Sequence, residues 1–241
     1  MPNNHFVLVH GSWLGGWCWK PLQHVLAQSG IASSAPELSG LREIGTLARD
    51  TGSLSIHVAD VAAHLRTLDG APVVLVGHSY GAAVANEVAA HFPERISALI
   101  NLDGFLTRGG RSLYDVCPAL ESVAANLIDP STPDYILPAP HDLLGLSEEE
   151  ARSLIQGRLR AMPGAANSEP ARFDCADLTC RRIYIRFAQF PVFAETVEIA
   201  QREGWEASTI DVAHMAIMTQ PEIVVSAMMR ALAQPGADTA A

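Results

Sequence analysis

The stretch Pro72-Val-Val-Leu-Val76 followed by Gly77-His78-Ser79-Tyr80-Gly81 constrains this chain more than any other. The first five residues read as a buried strand. The next five fit G-x-S-x-G, and alanine-rich sequence then runs as a helix to about His91, where Pro93 stops it. A serine between strand and helix sits on a tight turn with its hydroxyl presented above a sheet. The flanking glycines leave room for strained backbone and close strand–helix packing. The plain alternative is a βα turn whose serine only caps the helix.

The surrounding pattern sets the fold class. Phe6–Val9, Ile31–Pro36, Pro72–Val76 and Ile96–Leu102 read as strands, with helices between them over Trp17–Ser29, Ser55–Leu68 and the segment after Ser79. Such alternation implies parallel strands joined by right-handed helical crossovers. From Thr107 to about Leu178 the spacing suggests no convincing strand. Ser112–Leu127 reads as one helix, and Ser147-Glu-Glu-Glu150 as a capping box opening a second toward Arg160. Strands resume at Ile183–Phe187 and Trp205–Val212, with helices over Phe193–Glu203 and Pro221–Ala233. The tail after Pro235 reads as frayed. The expected architecture is α/β: a doubly wound, mostly parallel six-stranded sheet formed by residues 1–106 and 179–241, with 107–178 as a helical cap insertion.

Charge and cysteine content narrow the function. The 241 residues carry 16 Lys+Arg against 26 Asp+Glu, a formal net charge of −10, and Lys20 is the only lysine. This acidic balance disfavours nucleic acid as a partner. Cys18, Cys117, Cys175 and Cys180 are too scattered for a disulfide framework and poorly spaced for zinc, so they read as free thiols of a reducing compartment. The amino terminus lacks the marks of a signal peptide, and no run reaches the ~18 apolar residues of a membrane span. A cytoplasmic protein with no membrane partner is expected; a homodimer is allowed but not indicated.

A serine nucleophile needs a base. His214 follows the last strand and can return to the same end of the sheet as Ser79. His24, His57, His64 and His91 read as ordinary surface residues of helices, and His78 as a neighbour pointing elsewhere. A carboxylate must orient the base, and the chain order serine, acid, histidine admits Asp103 and Glu195. Asp103, directly after a strand, is favoured. Glu195 is the alternative, because Ala188–Phe193 carries no carboxylate where the acid usually falls. Asp211 reads as a loop-capping residue. Backbone N–H groups of Ser12, in the loop after the first strand, and of Tyr80 would form an oxyanion hole.

Taken together, VHGSWLGGWCW (9–19), GHSYG (77–81), LDGF (102–105) and HMAIMTQP (214–221) resemble the α/β-hydrolase superfamily. Within it they resemble the small esterase branch of plant methylesterases and hydroxynitrile lyases, and bacterial ester or methyl-carbamate hydrolases. The resemblance implies serine-hydrolase roles for Ser79, His214, Ser12 and Tyr80. It departs at the acid, since the aspartate usual after the later strand is absent. It implies hydrolysis of a small, largely apolar ester or carbamate through an acyl- or carbamoyl-enzyme, with no metal and no cofactor. Trp13, Tyr80, Phe105 and Phe190 are expected to line the pocket. Two rivals remain. One is a hydroxynitrile lyase, which in this branch carries a threonine and a lysine where this chain has Gly11 and Met215. The other is a non-catalytic small-molecule receptor on the same fold.

Overall fold

A computed structural model describes residues 5–41 and 52–234. The expected amino-terminal segment 1–4, most of the polar stretch before Gly52 and the tail after Gln234 lie outside them. The core is one parallel sheet of six strands: β1 (Phe6–Val9), β2 (Ser33–Ser34), β3 (Val73–His78), β4 (Ile96–Leu102), and two more that follow the insertion. The insertion carries the short strands β5 (Ile128–Asp129), β6 (Thr132–Ile136) and β7 (Met162–Pro163). The last core strands are β8 (Arg181–Phe187) and β9 (Glu206–Ile210). The order across the sheet is β2-β1-β3-β4-β8-β9, and every neighbouring pair is parallel.

Period-two alternation divides the strands between two apolar layers. Val7, Val9, Val73 and Leu75 face one layer, with α2 (Leu54–Arg66) and α3 (Tyr80–His91) packed over them. Phe6, Leu8, Val74 and Val76 face the other, covered by α1 (Lys20–Gln28) and the carboxy-terminal helix Pro221–Ala233. All six residues of β3 are buried. Each such valine or leucine contributes about 1.5–3 kcal/mol on leaving water. The turn that bears Ser79 thus hangs from a strand buried along its whole length.

The sequence misleads in the insertion. β5, β6 and β7 form a small antiparallel sheet where no strand was expected. They are two to five residues long, too short for a periodic signal. The helix expected over Ser112–Leu127 is two, α4 (Leu113–Val116) and α5 (Pro118–Ala125). Pro118 has no N–H to donate and its ring excludes a helical carbonyl four residues back, so the chain breaks at extended Cys117 (φ −141°, ψ 79°). The Ser147 box is present, with Oγ accepting from Glu150 N–H and Glu150 accepting from Ser147 N–H, but α6 (Glu148–Leu154) stops well before Arg160. Gly157, at φ +70°, marks the turn beyond it.

Hydrogen bonds from Glu87 and Trp13 help bind the insertion to the core. Glu87 of α3 accepts from the Arg172 and Phe173 amides, each at 3.0 Å, beyond α7 (Ala165–Ser168). Trp13 donates from Nε1 to the Ile136 carbonyl at 3.2 Å, and its own carbonyl accepts from the Arg160 amide at 2.9 Å. The remaining helices are α8 (Thr196–Arg202), α9 (Ala216–Thr219) and α10 (Pro221–Ala233). Among the described residues, no helix is long and apolar enough to cross a membrane.

Candidate active site

Parallel strands end together, so the loops at their carboxyl ends converge. Here five of them do. Ser12 follows β1, Ser79 follows β3, Asp103 follows β4, Phe190 follows β8 and His214 follows β9. Ser79 takes φ 55° and ψ −121°, a conformation that L-residues rarely adopt. The turn tolerates it because its neighbours have no side chains. A Cβ on Gly81 would lie 2.5 Å from the His10 carbonyl oxygen, and one on Gly77 at the same distance from the Gly81 carbonyl oxygen. Tyr80 opens α3, so its amide has no acceptor inside the helix.

The Asp103 carboxylate is held from two sides. Oδ1 accepts from the Phe187 amide at 3.1 Å, and Oδ2 accepts from Nδ1–H of His214 at 2.6 Å. The Asp103 backbone is itself in the left-handed region, at φ 43°. Glu195, the other carboxylate that chain order allowed, is exposed at the start of α8 and does not meet His214. It lies beyond the 3-10 turn Pro191–Phe193, at the N-cap of α8.

His214 is 4% exposed, and burial holds its imidazolium below the ordinary histidine value. The ring is therefore neutral at neutral pH, with the proton on Nδ1 and the lone pair on Nε2. Burial raises the Asp103 carboxyl, opposed by the Phe187 amide. The His214 ring stacks on Phe190, centroids 3.9 Å apart and planes 19° from parallel.

Two histidines read as bystanders in the sequence are structural parts of this site. His78 is fully buried and donates from Nε2 to the His214 carbonyl at 2.9 Å, its ring 4.5 Å from that of His214. Its Nδ1 has no partner. His57 is not on the surface. It is buried, donates from Nε2 to the Ser39 carbonyl and accepts from the Tyr80 hydroxyl at Nδ1, both at 2.7 Å. Tyr80 consequently points into the core and its side chain does not line the pocket. Local spacing could not reveal either role, because the partners lie 136 and 23 positions away.

A cavity of about 350 Å³ opens at this convergence, within the range of small-molecule sites. Ser79 and His214 line it together with Ser12, Trp13, Phe105 and Phe190. Phe193, which the sequence did not single out, packs edge-on to Phe105 at 4.9 Å and forms part of the wall. The insertion supplies Leu120, Val123, Leu143 and Leu144. The arrangement places a hydroxyl and an oriented neutral imidazole in one apolar chamber. Among the described residues, no three metal-capable side chains cluster.

Comparison with known proteins agrees with the fold. Residues 6–235 match the model of the alpha/beta hydrolase family. A carbendazim hydrolyzing esterase of Nocardioides sp. is 35% identical over 114 residues, 47% of this chain and 47% of that protein. A putative chloroplastic methylesterase of Arabidopsis thaliana is 33% identical over 48% of this chain and 30% of its own length. These matches thus span about half of the relatives or less. An extracellular alpha/beta-hydrolase from a Paenibacillus species superposes with a TM-score of 0.76 at 22% identity, over 98% of this chain and 100% of that one.

Proposed function

We propose, since this chain belongs to the alpha/beta hydrolase family, that it is a serine hydrolase of small, largely apolar carboxylic esters or carbamates. One observation carries the reading: a buried Asp103–His214 hydrogen bond of 2.6 Å, with His214 and Ser79 lining the same apolar pocket. In this account Ser79 Oγ attacks the substrate carbonyl while His214 Nε2 takes its proton. Asp103 fixes the tautomer and compensates the imidazolium as it forms. The Ser12 and Tyr80 amides stabilise the oxyanion. His214 then protonates the leaving group, and water, activated by the same ring, releases the acyl- or carbamoyl-enzyme. The names of the esterase relatives support ester cleavage, and that of the Nocardioides enzyme supports a carbamate as the second substrate class.

A fluorophosphonate probe tests the reading. It should label the intact protein once, on the peptide bearing Ser79, and abolish ester hydrolysis in step with labelling. An unlabelled protein, or a label on another residue with Ser79 free, would contradict it.

A further inference from the structure

Six large apolar side chains are exposed among the described residues, and three of them edge this one pocket: Val123 at 39%, Leu143 at 51% and Val192 at 47%. They come from three separate segments, α5, the turn at 141–145 and the 3-10 turn after β8. Apolar side chains gathered at one place on a surface mark a contact rather than chance. Their position says what they contact. The same cavity is lined by Phe190 and Ser79, both less exposed than these three side chains. A protein covering the rim would seal the reacting serine from its substrate, so the surface has to be covered by the substrate itself.

We propose that the mouth of the pocket holds an extended, uncharged apolar arm of the substrate, reaching outward from the scissile bond past Val123, Leu143 and Val192. This deepens the esterase reading above and rests on it. A chamber of about 350 Å³ is at the small end of ligand pockets, so a longer substrate must leave through the mouth. The arm is apolar because Val123, Leu143 and Val192 offer it no polar partner, and it is not anionic because the exposed Asp142 carboxylate lines the same pocket and the chain carries a net charge of −10.

The test is a chain-length series on the full protein, run below and then above the aggregation concentration of each ester. Acyl length is varied in p-nitrophenyl esters from acetate to decanoate, and alcohol length in alkyl acetates. In one of the two series kcat/KM should rise about two- to fourfold per methylene and level off once the chain clears the rim. The variant V123S/L143S/V192S alters only exposed side chains. It should lower the ratio of kcat/KM on the long ester that wild type prefers to kcat/KM on the acetate by about five- to twentyfold. Flat responses in both series overturn the proposal, as does an equal loss on short and long esters. A rate that jumps only when the ester aggregates assigns the rim to a lipid surface and also overturns it. With Ser79 labelled by the fluorophosphonate, these outcomes remove the arm but leave the esterase. An unlabelled Ser79 with no turnover of any ester removes both.

Discussion

The ring of Phe190 lies flat against that of His214, centroids 3.9 Å apart, so the imidazole is held by a flat apolar face as well as by the Asp103 hydrogen bond. Removing that face lets the imidazole swing while leaving its tautomer fixed. Phe190→Ala should therefore lower kcat on a short ester by about tenfold, since small misplacements of a reacting group cost up to about a hundredfold. The acid limb of the pH profile should stay where it is, and Phe190→Leu should recover part of the rate. An unchanged kcat in Phe190→Ala would remove this positioning role.

The acid is decided by paired amide variants. Asp103→Asn keeps size but can donate to Nδ1, which favours the wrong tautomer of His214. The corresponding change in a serine protease lowers kcat about 10⁴-fold, which sets the scale. Asp103→Asn should lose at least about a hundredfold and Glu195→Gln less than about tenfold, both with unchanged circular dichroism. Collapse in Glu195→Gln alone would contradict the geometry described above.

Much of this fold could be read from the chain, because long buried strands leave a clear imprint. Phe6–Val9, Val73–His78 and Ile96–Leu102 are apolar runs bounded by turns, and parallel pairing follows from the helices between them. Ser79 was legible for the same reason: its turn has a strand on one side and a helix on the other. Three things were not. The insertion's strands are too short to carry a period. Asp103 was already favoured over Glu195, but its hydrogen bond to His214, across 111 positions, left no local pattern. His57 and His78 take their meaning from Tyr80 and the His214 carbonyl, and local pattern carries no record of such contacts.

Packing of the turn that bears Ser79 predicts a stability effect. A methyl group on Gly81 meets the carbonyl oxygens of Val9 and His10, which belong to the sheet and its first loop and cannot swing aside. Overpacking of this kind costs about 1–3 kcal/mol or more. Gly81→Ala should therefore lower Tm by roughly 5–10 °C for a chain of this size. An unchanged Tm with full activity would show that β1 and α3 are less closely opposed than described.

Acid should destabilise the protein through its buried histidines. Burial pulls His10 down to about 4 and His78 down to about 3, and lowers His57 as well. Below pH ~6.5 the unfolded chain binds protons that the folded chain refuses, so stability falls as pH falls. At pH 5 His10 and His78 together account for about 4 kcal/mol. Asp103, raised by burial, works in the opposite direction and offsets the lowered His214. Thermal unfolding should give a Tm roughly 10 °C lower at pH 5 than at pH 7, with a shallower slope in His10→Gln. A Tm that is level or higher at pH 5 would contradict these burials.

The central claim is that Ser79 is the nucleophile, and its most direct measurement is the turnover of folded Ser79→Ala on p-nitrophenyl acetate. Loss of one hydroxyl from a turn lined by glycines leaves both apolar layers intact, so Tm should stay within a few degrees of wild type. Turnover should fall by at least about a thousandfold, the scale for removing a serine nucleophile. A folded Ser79→Ala that keeps more than a few per cent of wild-type kcat/KM would contradict the account.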